Sequence, residues 1–362
     1  SIIPKHIYAG TDPTKNAANQ RPIGTGPFRF KEYVAGSHII LEKNPTYWRK
    51  GRPYLDRVVF KITPDETARV IALERGELDL QGYYGFPFSE LERLKKLPEL
   101  KTVFDPTAFA PIMMAPINLR GPILSKPEVR QALAHAVNRE EILERALFGV
   151  GKVAVSPIPS SLGWAHNPKV KQYGVDPAEA NRLLDRAGFP RGADGSRFKL
   201  NIYFDGGRLA HRKTAEIMRE NLRTVGVDLE LRGTEIASLM DTVFKAWNFD
   251  LTLLDLAMGP DPAVGAARLY TTDQIVKIAF TNAMGYSNPQ VDQLFAEGAK
   301  ALDRKKRAES YARVQEIMVR DLPALWLVEP AYPTMFRAEF AGLPTGPLRD
   351  ERLDNVWWTK AK

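Results

Sequence analysis

The 362-residue chain contains no cysteine, which removes disulfides, thiolate metal sites and a cysteine nucleophile together. Its five histidines, at positions 6, 38, 135, 166 and 211, stand apart from one another. None is paired as in H-E-x-x-H, so the sequence offers no metal-ligand spacing and no metal or other cofactor is expected. No apolar run approaches eighteen residues, which leaves no membrane-spanning helix to read. The first residues lack the basic segment and apolar core of a signal peptide. Glycine motifs for phosphates are also missing: Gly24-Thr-Gly26 has Arg29 where a third glycine would stand, and 149–152 (GVGK) lacks the Walker spacing. There is no G-x-S-x-G elbow, no internal repeat and no low-complexity segment. A nucleophile, a base and an orienting group cannot be assembled, so no catalytic residue is assigned.

What is present is an ordinary globular composition, 44% hydrophobic and 26% charged, long enough for two domains. The formal charge of +8 raises the question of nucleic acid. Lys and Arg are scattered, however, and many sit beside acids, as in 139–141 (REE). The densest cluster, 304–307 (RKKR), opens a helix without interleaved aromatics. A solvated surface explains this better than a nucleic-acid partner.

The most informative stretch is 198–255. Residues 198–204 alternate apolar and polar and end at Asp205-Gly-Gly207, which predicts a strand. Residues 211–225 carry Ala215, Met218, Leu222 and Val225 at helical spacing, stopped by Gly226. A second strand over 227–232, a second helix over 235–247 and a strand over 250–255, apolar on both faces, complete a βαβαβ pattern. Such a doubly wound sheet binds ligands beyond the carboxyl ends of its strands. Those ends are 205–208 (DGGR) and 255–261 (DLAMGPD).

Elsewhere, residues 1–22 look irregular. Strands over 28–34, 37–43 and 55–62 precede a helix capped by Asp65 and a returning strand over 77–81, a mixed α+β pattern. From 117–118 onward the pattern turns helical. Asn138 with Glu141 has the form of a capping box, Asp176-Pro177 is a helix start with Pro at the first position, and Asn288-Pro289 and Asp303 open two further helices. A strand over 323–328 and short turns and strands to the end finish the chain. His135, on an apolar helix, reads as a packed residue, whereas His211 follows a strand end. Asp205, Asp255 and Asp261 near the crevice could equally be helix caps. Aromatics gather at the same places: Tyr203, Phe204, Trp247 and Tyr270 on one side, Tyr83, Tyr84 and Phe86 on the other. Phe204 and Trp247 suit a core as well as a cleft, but Tyr83 and Tyr84 follow a strand in a loop. Large contact area with polar handles is what a binding cleft needs.

Several segments resemble the oligopeptide/dipeptide/nickel/opine-type extracellular solute-binding proteins, family 5, of bacterial ABC importers. They are 22–28 (PIGTGPF), 41–48 (LEKNPTYW), 72–79 (ALERGELD), 129–133 (VRQAL) with 138–140 (NRE), 176–188 (DPAEANRLLDRAG), 286–292 (YSNPQVD) and 321–326 (DLPALW). The resemblance runs through the whole chain. It implies an α/β, two-lobed periplasmic-binding-protein-like fold of type II. Lobe I would be mixed α+β, built from 1–118 and 331–362; lobe II, 119–330, would carry the doubly wound sheet. Hinge strands are expected near 115–118 and 328–332, with closure around the ligand. Because 3–6 (IPKH) resembles an internal segment of the family, lobe I is expected to be incomplete, with an N-terminal portion of the same protein as its missing partner. The other implied partners are a small solute and the membrane permease, in the periplasm or lipid-anchored at the cell surface.

Position in a loop after a strand selects Tyr83 and Tyr84, and strand-end placement and the resemblance together select Arg208, His211, Trp247, Leu256, Met258, Asp261, Arg268 and Tyr270, as ligand-binding residues. One departure stands out. Peptide-binding members place an Asp three residues before an acid-Pro pair, to meet the peptide amino terminus. Here the pair is Asp261-Pro262 and the position holds Met258, whose thioether cannot neutralise an ammonium, although Asp255, one strand step away, could substitute. An opine-like conjugate, a polyol or an oligosaccharide therefore competes with a peptide, and Arg208 and Arg268 could meet a carboxylate. The rival of a different class is a hydrolase or transferase on an α/β scaffold, which requires a nucleophile the sequence does not display.

Overall fold

The computed structural model describes residues 3–82, 86–104, 110–343 and 353–359. In chain order the elements begin with α1 (Lys5–Tyr8), β1 (Phe28–Val34), β2 (His38–Lys43), β3 (Arg57–Lys61), α2 (Glu66–Glu74), β4 (Leu80–Gln81), α3 (Leu91–Leu94) and β5 (Leu100–Phe104). They continue with β6 (Pro111–Pro116), α4 (Pro127–Ala136), α5 (Arg139–Leu147), β7 (Gly151–Val153), α6 (Pro177–Arg186), β8 (Phe198–Asp205), α7 (Leu209–Thr224), β9 (Val227–Thr234) and α8 (Ile236–Met240). The last are β10 (Leu251–Thr252), β11 (Leu254–Ala257), α9 (Ala267–Tyr270), α10 (Pro289–Lys300), α11 (Arg304–Asp321), β12 (Ala324–Pro330), β13 (Pro333–Arg337), β14 (Phe340–Ala341) and β15 (Trp357–Trp358).

Two compact units result. One comprises Ser1–Tyr83, Arg93–Val103 and Thr334–Lys362; the other comprises Tyr84–Glu92 and Phe104–Pro333. The boundary at 103–104 falls ahead of the change of pattern at 117–118, because β6 pairs with β11 on one side and β12 on the other. The first unit holds an antiparallel β1-β2-β3 sheet and small sheets β4-β13-β5 and β14-β15. Its packing centres on Phe336, Phe340 and Val356, with Trp358 edge-on to Phe340. Tyr33, Val34, Val59 and Phe60 of the β1-β2-β3 sheet remain exposed.

The second unit carries most of the core. Parallel β10-β8-β9 forms from the β8-α7-β9-α8-β10 crossovers, the parallel arrangement that the alternation of patterns predicts. Beside it lies an antiparallel sheet, β11-β6-β12-β7. Two details depart from expectation. The single strand predicted over 250–255 is two: Leu251 and Thr252 pair with β8, and Leu254 to Ala257 pair with β6. A largely apolar run buries equally well in either sheet, so its composition cannot say where it changes partner. The helix predicted over 235–247 ends as α8 and continues as a π-helical turn, Asp241–Ala246, stopped by Trp247 in the left-handed region (φ 56°).

The helix starts follow the sequence. Asp65, Asn138, Asp176, Asn288 and Asp303 each accept a backbone N–H of the first turn. The expected capping box at α5 is only half made: the Asn138 N–H donates to the Asn221 side chain, and Glu141 binds Asn221 and Arg145.

Candidate functional site

The carboxyl end of β8 turns through Gly206 and Gly207 into α7, so Arg208 is the N-cap of α7 and His211 lies one turn along. Beside that helix end β11 delivers Asp255. The Arg208 guanidinium lies 2.5 Å from Asp255 Oδ2, with the two side chains 7% and 1% exposed. His211 Nε2 is 3.3 Å from the same oxygen and 3.2 Å from Arg208 Nη1. Tyr332, just past β12, donates its hydroxyl to Asp255 and accepts from Arg208 Nη2 at 2.9 Å. Phe88 stacks on the Tyr332 ring at 5.3 Å. An anion at a helix N-terminus also gains from the helix dipole.

Burial by itself would push the Asp255 carboxyl up, yet Arg208, His211 and the Tyr332 hydroxyl outweigh it and hold Asp255 far below the usual carboxylate range. Burial and the neighbouring Arg208 cation depress His211 against the pull of Asp255, so the imidazole is neutral near pH 7. Asp255 Oδ1 and His211 Nδ1, both buried in this cluster, have no hydrogen bond among the described residues. Buried atoms left without a partner call for an explanation, and a bound solute or water that completes the network is one. Arg208, expected as a receiver of a ligand carboxylate, is already neutralised by Asp255.

The other expected residues are distributed as follows. Tyr83 and Tyr84 lie outside the described residues. Trp247 precedes β10 and so sits at the amino end of the parallel sheet, away from the α7 turn; Arg120 and Lys277 lie over its ring at 3.9 and 5.2 Å. Leu256 is buried in β11, against a small apolar cavity with Met114 and Phe244. Met258 is fully buried, its N–H bonded to the Ala110 carbonyl. The loop folds back so tightly that a Cβ at Gly265 would fall 2.2 Å from the Met258 carbonyl oxygen. Asp261 accepts twice from Arg307 Nη2, at 2.7 and 2.8 Å, and once from the Ala263 N–H. Tyr270 is fully buried, its hydroxyl accepting from Trp326 Nε1 at 3.0 Å, and burial raises its pKa. Tyr270 and Asp261 thus hold the loop together.

Arg268 differs. It is partly buried in α9, its recorded hydrogen bond runs from Nε to the Gly265 carbonyl, and no carboxylate lies within ion-pair distance of it among the described residues. Asp255, weighed above as a helix cap and as a stand-in for the missing acid, was left off the expected ligand residues, and Tyr332, placed only in a hinge segment, is the member of the cluster that sequence reasoning missed. The signal for Asp255 was a lone acid in an otherwise apolar strand. Among the described residues there is no cluster of three or more metal-ligating side chains, and no helix is long and apolar enough to cross a membrane.

Residues 1–276 match the family model described as bacterial extracellular solute-binding proteins, family 5 Middle. The oligopeptide-binding protein AppA of Bacillus subtilis is 28% identical over 373 residues, covering 99% of this chain and 66% of the relative. Its structure in complex with a nonapeptide superposes with a TM-score of 0.88 at 27% identity, over 99% of this chain and 72% of that one. The binding protein AgaA from A. tumefaciens, in complex with agropinic acid, gives a TM-score of 0.85 at 25% identity, over 96% and 70%. The chain therefore spans about two thirds or less of the length of the curated relatives it matches. By fold and by sequence it is a type II periplasmic-binding-protein-like chain, and it belongs to the bacterial extracellular solute-binding proteins of family 5.

Proposed function

We propose that this chain is the substrate-binding component of an ABC importer, one that captures a small solute in the periplasm or at the cell surface and delivers it to a membrane permease without chemistry. The solute is a non-peptide carrying a carboxylate, of the opine-like conjugate type. Met258 carries this choice. A buried thioether replaces the acid that would meet a peptide ammonium, while Arg268 presents a guanidinium with no protein carboxylate among the described residues. The AgaA relative, whose structure holds agropinic acid, supports the same class. The AppA relative, whose structure holds a nonapeptide, supports the second reading, a peptide.

Calorimetric titration with amino acid–sugar conjugates, free oligopeptides and neutral oligosaccharides separates these readings. The expected result is binding of a carboxylate-bearing conjugate that weakens at least tenfold in Arg268→Gln, about 1.4 kcal/mol. Tight binding of peptides with a free amino terminus, unaffected by Arg268→Gln, would sink the non-peptide choice.

A further inference from the structure

Two arginines of neighbouring helices are buried to a similar degree, Arg130 at 5% and Arg139 at 8% exposure. Arg130 is fully engaged: Nε and Nη2 donate to the Asp321 carbonyl, and Nη1 donates to those of Leu124 and Ser125. The charge of Asp321 supports it further. Arg139 donates from Nε to the Trp326 carbonyl and from Nη1 to those of Ala134 and Tyr173, at 2.9, 3.1 and 3.1 Å. Its Nη2 has no acceptor and its charge no ion-paired carboxylate among the described residues. Burial pulls its pKa down only to about 10, so the guanidinium remains a cation.

A cavity of about 100 Å³ opens against this group, bordered by Arg139, Glu140, Lys171, Gln172, Tyr173 and Trp326 among others. The Lys171 ammonium lies 4.4 Å from the Tyr173 ring centre and makes no ion pair among the described residues. Arg139 and Glu140 open α5, whose positive dipole end adds to the field. Among the described lining residues Glu140 is the only acid, against two cations. A buried cation without an ion-paired carboxylate is costly, and the geometry supplies what an anion needs: the remaining Nη2 of a guanidinium, an ammonium and space for a few heavy atoms.

We propose that this cavity is a second binding site, one for a small oxyanion of the phosphate or sulfate type. The test is thermal unfolding of the whole chain in sodium phosphate and in sodium chloride at equal ionic strength, with phosphate affinity measured by calorimetry. The midpoint rises by about 2–4 °C at ten times the dissociation constant. Lys171→Glu weakens phosphate at least tenfold and Glu140→Gln tightens it. Lys171 and Glu140 are exposed, so these variants keep the fold even if a change at Arg139 does not. Equal midpoints in the two salts, or a Lys171→Glu response equal to that of the unmodified chain, overturns the site.

Discussion

Two aspartate–arginine pairs stand at the two ends of one short segment, 255–261, and differ mainly in burial. Asp255 and Arg208 are sealed, 1% and 7% exposed. Asp261 and Arg307 keep 27% and 22%. At the first pair, water cannot replace a missing partner, so removing either charge strands the other in low dielectric. At the second, solvent screens both charges, and the pair ties a loop to a helix for a modest return. The same residue types thus make a rigid, low-lying anion centre in one place and an adjustable clip in the other. Only the first leaves polar atoms, Asp255 Oδ1 and His211 Nδ1, buried and unbonded among the described residues.

The comparison breaks most visibly at Asp255. Asp255→Ala is expected to cost about 3–5 kcal/mol in urea unfolding, and the double change Arg208→Met with Asp255→Leu much less than the sum of the single changes. A single-variant loss under about 1 kcal/mol would mean that the pair is solvated like its neighbour. Next comes Tyr332→Phe, which removes one hydrogen bond to a charged acceptor, about 1.5–3 kcal/mol, together with the pH dependence of His211. The folded protein holds His211 below its ordinary pKa of 6.5, so the folded state binds fewer protons than the unfolded chain at mildly acid pH. Stability is therefore full above about pH 6.5 and declines as pH falls below it. Asp255 shifts in the same sense, its contribution being lost at still lower pH. In His211→Gln the stability curve should flatten between roughly pH 6.5 and 5; an unchanged slope there would refute the depressed imidazole. The smallest effect belongs to Asp261→Asn, about 1 kcal/mol or less and shrinking further in high salt. A large, salt-independent loss at Asp261 would erase the distinction between the pairs.

How much of this was legible before the structure depends on the range of the interaction. Asp176 followed by Pro177 and Glu179 predicts a helix start, and the cap forms as read, because every atom involved lies within one turn. The alternation in 198–204 and the apolar spacing in 211–225 become β8 and α7 with small shifts at the ends. Asn138 and Glu141 show where local reading stops: Asn221, on another helix, takes the bond that a capping box would make. At the candidate site, Arg208 and His211 were legible as residues after a strand end. Their partner Asp255 was visible only as an acid in an apolar strand, and Tyr332 carried no local signal for its role.

The sequence by itself determined the absence of thiol chemistry, the caps and periods of the main elements, the crossover pattern, and the family to which the chain belongs. Each rests on residue type or on spacing within a few positions. The tertiary structure alone decided that one largely apolar run serves two sheets, that Asp255 neutralises Arg208, and that Arg139 faces a cavity without an ion-paired carboxylate among the described residues. Asp255 lies 44 residues from His211 and 77 from Tyr332 in the chain. Contacts at such separation are set by how sheets and helices pack, and the burial that makes them matter is a property of the folded volume.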